Sequence, residues 1–438
     1  MPEPVTADHS RWDALLASSA FVGLLLVQIV VILTLCRGLR VIIVRLGQPA
    51  VIGEILAGLL LGPSFFGWIA PSWYAHLFVP SSLPLLNALS QVGLVIFMFL
   101  VGLRLDLTEL YNLRSAATST ALLSIILPFS AGIVLSRELR AFAAPSTPGL
   151  PFALFIGVSM SITAFPVLAR ILSDRGLTQT RLGHLSIACA AFDDVTGWTM
   201  LACVTAMIRS DWTAQLGFTV TILLIYVAAM LLIGRPLLKW SADHFGRTGD
   251  MSLILIIVFV SSWASDYAGI HALFGAFLAG VLCPHAGKFG KQLSSVLEPL
   301  VMTVLLPLFF SYTGIRTNIG LLSPSLWLWT LVIIAVAVAG KMGGGFTGAA
   351  LMGLSLRDSV ALGALMNTRG LVELVVLNVG LDLGILTPAL FTMFVLMALA
   401  TTLMTSPILN WVLRDSAMVQ AASSAPGVDE ARSEAPPD

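Results

Sequence analysis

The chain is poor in charge. Of 438 residues, 23 are Lys or Arg and 23 are Asp or Glu, together 11%, against 57% hydrophobic residues. Soluble domains carry roughly 25% charged residues, so the composition excludes a water-soluble globular fold. The formal net charge is zero, and nothing favours nucleic acid or an acidic partner. Cysteine is scarce too. Cys36, Cys189, Cys203 and Cys283 fall in apolar segments at unrelated spacings, which leaves no disulfide frame and no CxxC metal pattern. All four read as small buried residues, and no cofactor is expected.

What the chain has in abundance is apolar length. Runs able to cross about 30 Å of hydrocarbon fall near 14–36, 49–66, 83–103, 115–136, 150–173, 182–208, 212–234, 251–267, 269–284, 294–315, 325–353, 358–380 and 388–413. The first follows Asp8 and Asp13 and is too long for a signal h-region, so it reads as a retained helix. The count predicts about thirteen transmembrane helices, the second and ninth short and rich in glycine. The tail 414–438 is rich in Ser, Pro and acid and is expected to be disordered.

Basic residues assign the sides. Arg37, Arg40 and Arg45, Arg104 and Arg114, Arg170, Arg175 and Arg181, Arg235, Lys239 and Arg247, Lys288 and Lys291, Arg357 and Arg414 fall on one side. Arg11, Arg137, Arg140, Arg209 and Arg316 fall on the other. The bias places the N-terminus outside and the C-terminus in the cytoplasm of the cell (inner) membrane.

A repeat is also visible. Gly47, Gly53 and Gly58 share their spacing with Gly269, Gly275 and Gly280; one helix later Gly102-Leu-Arg104-Leu-Asp106 matches Gly314-Ile-Arg316-Thr-Asn318. An odd number of crossings separates the copies, about 47–209 and 269–413, so their topologies are inverted. Inverted repeats with broken helices are the architecture of many secondary transporters, with the site where the copies meet.

Breaks are expected in equivalent helices. Pro166, in SMSITAFPVLARIL, removes a backbone donor and frees carbonyls near Ile162 and Thr163. In ALMNTRGLVELVV, the stretch Asn367, Thr368, Arg369 and Gly370 is too polar for lipid and has to face a cavity. The carbonyl ends of such half-helices favour a cation. Asp193 and Asp194 are the only fixed charges between Leu182 and Ile208, and one charge at a helix centre costs about 2.5–3.5 kcal/mol. A buried anionic pair of this kind calls for a cation. Lys341, deep in another apolar helix, needs a carboxylate partner. Adjacent helix residues point about 100° apart, so one aspartate can take the lysine while the other faces the cavity. Arg369 and Glu373, at i and i+4, are expected to neutralise each other. Glu54 and Arg170 read as structural ties, His184 and His271 as satisfied or interfacial histidines.

At these residues the sequence resembles a known family. SITAFPVLARIL, GIHALFGAFLAGVLCP, LLPLFFSYTGIRTN and MNTRGLVELVVLNVGL are similar to hallmark segments of the monovalent cation:proton antiporter-2 family, most of all its cation/proton exchanger branch. The resemblance implies an all-α membrane domain over 1–413, with a core of two crossed discontinuous helices interleaved with a dimerisation subdomain, and hence a homodimer in lipid. It implies Asp194 as the cation- and proton-binding residue, Asp193 as its neighbour, Lys341 as the charge partner of Asp193, and Thr163, Asn367, Thr368, Arg369 and Glu373 around the breaks. That branch often carries Asn where Asp193 stands, whereas a double aspartate is similar to electrogenic sodium/proton antiporters. The branch thus points to potassium and the pair to sodium.

The function so implied is exchange of Na+ or K+ for protons by alternating access, probed against three rivals. A channel would conduct without proton coupling. An intramembrane aspartyl protease needs its two aspartates on separate helices. A cation-coupled symporter of a small organic solute shares the repeat logic and is the main alternative.

Overall fold

In hydrocarbon a backbone satisfies its polar groups within its own helix or in a closed barrel. In the computed structural model every regular element among the described residues is helical. The structure describes residues 7–104, 115–145, 147–178, 180–209, 216–248, 251–268, 271–284 and 288–413. In chain order the helices are α1 (Ala7–Arg45), α2 (Ala50–Leu61), α3 (Phe66–Ile69), α4 (Pro71–Leu77), α5 (Leu83–Leu103), α6 (Ser115–Leu139), α7 (Gly149–Ser161), α8 (Phe165–Asp174), α9 (Arg181–Arg209) and α10 (Leu216–Ala229). They continue as α11 (Arg235–Thr248), α12 (Ser252–Tyr267), α13 (Ala272–Leu282), α14 (Lys288–Leu300), α15 (Leu306–Arg316), α16 (Pro324–Leu351), α17 (Leu356–Met366), α18 (Leu371–Asp382) and α19 (Pro388–Leu413).

Nine helical stretches of the described residues are long and apolar enough to cross a membrane, and α7, α12 and α13 are shorter apolar helices. The protein is therefore an integral, multi-pass membrane protein. Several expected boundaries move. The helix expected at 14–36 extends to Arg45, because Arg37, Arg40 and Arg45 are good helix formers that carry the chain past the apolar run. The run expected to end at 234 passes through a π turn, Met230–Gly234, into α11. The helix expected from 294 starts at Lys288 and joins α15 through a second π turn, Val301–Leu305. The tail, Asp106 and Gly269 lie outside the described residues.

Glycine sets the closest approaches between helices. Gly58 of α2 presses on the backbone of Ser311 and Gly314 in α15, so that a Cβ on Gly314 would sit 2.6 Å from Gly58. Gly280 of α13 makes the corresponding contact with α5, where a Cβ would sit 2.9 Å from Gly102. The two sequence copies thus exchange partners: the first copy's α2 packs on the second copy's α15, and the second copy's α13 packs on the first copy's α5. Each contact brings two glycines backbone to backbone, as small residues do wherever membrane helices pack closely.

A second glycine ridge lies on α16. Gly340, Gly344 and Gly348, four residues apart, press on Pro128, on Leu123 and Ser124, and on Thr120 of α6. That contact fixes the depth and rotation of α16, and with it the position of Lys341.

Candidate functional site

The two expected breaks face each other. Between α7 and α8, residues 162–164 leave the helix, and Pro166 stands second in α8, where its missing N–H costs nothing. Between α17 and α18, residues 367–370 do the same. The Ala164 N–H donates to the Thr368 carbonyl at 2.9 Å, and the Thr163 hydroxyl lies 3.0 Å from the Met366 carbonyl. Gly370 packs on Ala164 and Val167. Thr402 of α19 holds the second break, accepting from Arg369 N–H at 3.1 Å and donating to its carbonyl at 2.6 Å.

Lys341 reaches this crossing from α16. It is fully buried, and its ammonium lies 2.6 Å from Asp193 Oδ2, which is 2% exposed. Its other acceptors are the carbonyls of Ser124, at 3.0 Å, and Ser161. The Ser124 carbonyl is free for a structural reason. Its usual helical donor would be the N–H of residue 128, which is a proline. The Ser161 carbonyl ends α7, where the helix has no further donor to offer. An ammonium has three protons, and all three are engaged. The lysine side chain does not climb to an interface.

The two aspartates differ sharply. The Thr163 hydroxyl lies 2.5 Å from Asp193 Oδ2, so Asp193 is held from two directions. Asp194 is 1% exposed, yet neither of its oxygens has a hydrogen-bond partner. Buried polar groups are bonded in the great majority of cases, and a bare buried carboxylate is a group with a ligand to gain: a proton or a cation.

Arg369 and Glu373 form a fully buried pair at 2.9 Å. The guanidinium does more than neutralise its neighbour. It donates to the Ser159 carbonyl at 2.7 Å and the Met160 carbonyl at 2.5 Å, while the Ser159 hydroxyl donates to Glu373 Oε1 at 2.8 Å. The last carbonyls of α7 are taken by protein cations: Arg369 takes Ser159 and Met160, and Lys341 takes Ser161.

The remaining candidates are dispersed. Thr368 is buried, its hydroxyl 3.5 Å from that of Thr405. Asn367 is fully buried with both amide atoms unpartnered. Glu54 and Arg170 line a cleft of about 770 Å³ together with Arg40, Arg104, Glu298 and Phe165. Arg104 and Glu298 are ion-paired across it. At the far end of the same helical rod, Arg316 bonds Asp382 at 2.6 Å and Asn378 at 3.1 Å, joining α15 to α18. His271 caps α13, accepting from Leu273 N–H, and His184 is exposed. Cys203 is exposed where burial was expected; the other three cysteines are buried. Sequence reasoning missed Ser124, Ser159 and Ser161, which contribute mainly through backbone carbonyls. Only Pro128 signalled any of them.

Crossed, broken helices around a buried carboxylate pair and a lysine define a multi-pass membrane transporter. More narrowly, the chain belongs to the transmembrane sodium/hydrogen exchanger family, whose profile matches residues 29–414. It is 42% identical over 393 residues to the Na+/H+ antiporter NhaS4 of Synechocystis sp., a match covering 88% of this chain and 96% of that one. It is 34% identical over 432 residues to the K+/H+ antiporter 1 of Saccharomyces cerevisiae, covering 94% of this chain but 49% of the yeast protein, about half its length. The solved structure of the sodium proton antiporter MjNhaP1 from Methanocaldococcus jannaschii superimposes with a TM-score of 0.61 at 15% identity, over 92% of this chain and 100% of that one. That likeness carries the fold.

Proposed function

We propose that the protein exchanges a monovalent cation, Na+ or K+, for protons, with Asp194 as the group that holds either one. The observation that carries this reading is the Asp194 carboxylate, 1% exposed and with neither oxygen bonded. A proton and a cation exclude each other at one carboxylate, and that exclusion is exchange. Asp193 and Lys341 form the resting pair beside it. A cation that draws Asp193 toward itself releases the lysine to give up a proton. Two protons then move against one cation, and transport is electrogenic.

Helices α6–α9 and α16–α19 form the moving core in this reading, and α1–α5 with α12–α15 form the scaffold through which two copies dimerise. The cleft beside Arg40, Arg104 and Arg170 opens on the arginine-rich side. By the charge rule that side is cytoplasmic, with the N-terminus outside and the chain in the cell (inner) membrane. Rocking of core against scaffold exposes the crossing to each side in turn.

The test is collapse of a preset pH gradient in proteoliposomes on adding NaCl or KCl, for the wild type and Asp194→Asn, with membrane potential clamped or free. Collapse by the wild type alone supports exchange through Asp194, and the effective salt names the ion. Dependence on potential supports two protons per cation. No response to either salt from folded protein overturns the reading in favour of a solute symporter.

A further inference from the structure

Asp194 is not the only bare group at the crossing. The Asn367 amide is fully buried, and neither its oxygen nor its nitrogen has a hydrogen-bond partner. Its place is fixed on both sides. The carbonyl of Met366, just before it, lies 3.0 Å from the Thr163 hydroxyl, and that hydroxyl lies 2.5 Å from Asp193. The carbonyl of Thr368, just after it, accepts from Ala164 N–H. Asn367 thus sits between two backbone contacts of the crossing, and the carbonyl just before it shares the Thr163 hydroxyl with Asp193.

A dehydrated cation needs several oxygens in place of its water shell, and one carboxylate does not supply them. Several main-chain oxygens at the crossing already accept a donor: Ser159 and Met160 from Arg369, Ser161 from Lys341, and Thr368 from Ala164. The buried side-chain oxygens with no hydrogen-bond partner at all here are the two of Asp194 and Oδ1 of Asn367.

We propose that the Asn367 side-chain oxygen is a direct ligand of the transported cation alongside Asp194, and that its neutral amide sets the preference between Na+ and K+. The proposal rests on the reading of Asp194 given above. A neutral amide oxygen has a weaker field than a carboxylate, and weaker-field ligands discriminate less strongly in favour of the smaller ion.

The experiment compares the wild type, Asn367→Ala and Asn367→Asp in two assays. One is the pH-gradient assay with graded NaCl and KCl; the other is thermal protection of detergent-solubilised protein by the same salts, which needs no transport. Loss of the oxygen raises the half-effective cation concentration about tenfold in both assays, the scale of one lost ligand. Asn367→Asp, nearly isosteric, shifts the Na+ to K+ ratio of half-effective concentrations toward Na+. Should Asn367→Ala not yield folded protein, the ratio for Asn367→Asp decides the question. An unchanged ratio and unchanged half-effective concentrations in folded variants overturn the ligand role. If instead the wild type exchanges neither cation, or Asp194→Asn exchanges as the wild type does, the reading of Asp194 has failed, and the two failures are told apart.

Discussion

Lys341 bonds Asp193, at 2.6 Å, and leaves Asp194 alone. The adjacent carboxylates therefore carry unequal mechanical duties: losing the lysine that holds Asp193 and losing the charge of Asp194 have opposite effects on stability. Lys341→Ala strips a buried carboxylate of its partner and two carbonyls of their donor, an operation that costs about 3–5 kcal/mol. Asp194→Asn breaks no bond and removes an unpaired charge. Thermal unfolding in detergent is expected to show a large drop for the first and none, or a rise, for the second. The Lys341→Ala loss is partly recovered by adding Asp193→Asn.

Pro128 controls an acceptor of that lysine. Pro128→Ala returns a backbone N–H to the Ser124 carbonyl, which now competes with the ammonium at 3.0 Å. The melting temperature holds, because the helix gains a hydrogen bond, while the maximal exchange rate falls several-fold as the lysine loses its fixed seat. Parallel unfolding and initial-rate measurements on one preparation check this split.

The glycine contacts tolerate no side chain. Gly58→Ala forces a methyl into the backbone of Ser311, and Gly280→Ala into that of Phe99, whereas a Cβ on Gly149 meets nothing within 4 Å. Overpacking of this kind costs about 1–3 kcal/mol. The yield of monodisperse protein is expected to fall for the first two variants and to match the wild type for Gly149→Ala.

Arg316 ties the end of α15 to α18 through Asp382 and Asn378. Its partner carboxylate is 39% exposed, so its removal costs at most about 1 kcal/mol of stability. Its effect falls on the equilibrium between states instead. Arg316→Ala is expected to speed maleimide labelling of Asn378→Cys from that face, in a background with the four natural cysteines replaced. Labelling as slow as with Arg316 present would show that the contact does not hold this face closed.

The breaks and the glycine repeat were legible because each is carried by a residue type with a definite backbone consequence: Pro166, which removes a donor, the polar run at Asn367–Gly370, which lipid does not accept, and Gly58 with its counterpart Gly280, which admit a close backbone. The Arg369–Glu373 pair was legible through its spacing. What Arg369 does for α7 was not. Its carbonyl partners, Ser159 and Met160, lie about two hundred positions away, and a carbonyl has no residue type to announce it. The π turns at 230–234 and 301–305 were hidden for a related reason. One extra residue in a turn leaves the apolar pattern of a lipid-facing rod unchanged.

The exchanged glycine contacts also bear on how such a chain is made. When α2 leaves the ribosome, the surface that Gly58 will cover belongs to α15, more than 240 residues from being synthesised. Conversely, α13 emerges to find α5 already in the bilayer, with Gly102 waiting. The first half is inserted with its closest contact unmade, and the second half completes both. Neither half is an assembly unit by itself, and a chain cut between the halves has to rejoin in the bilayer before either glycine face is closed.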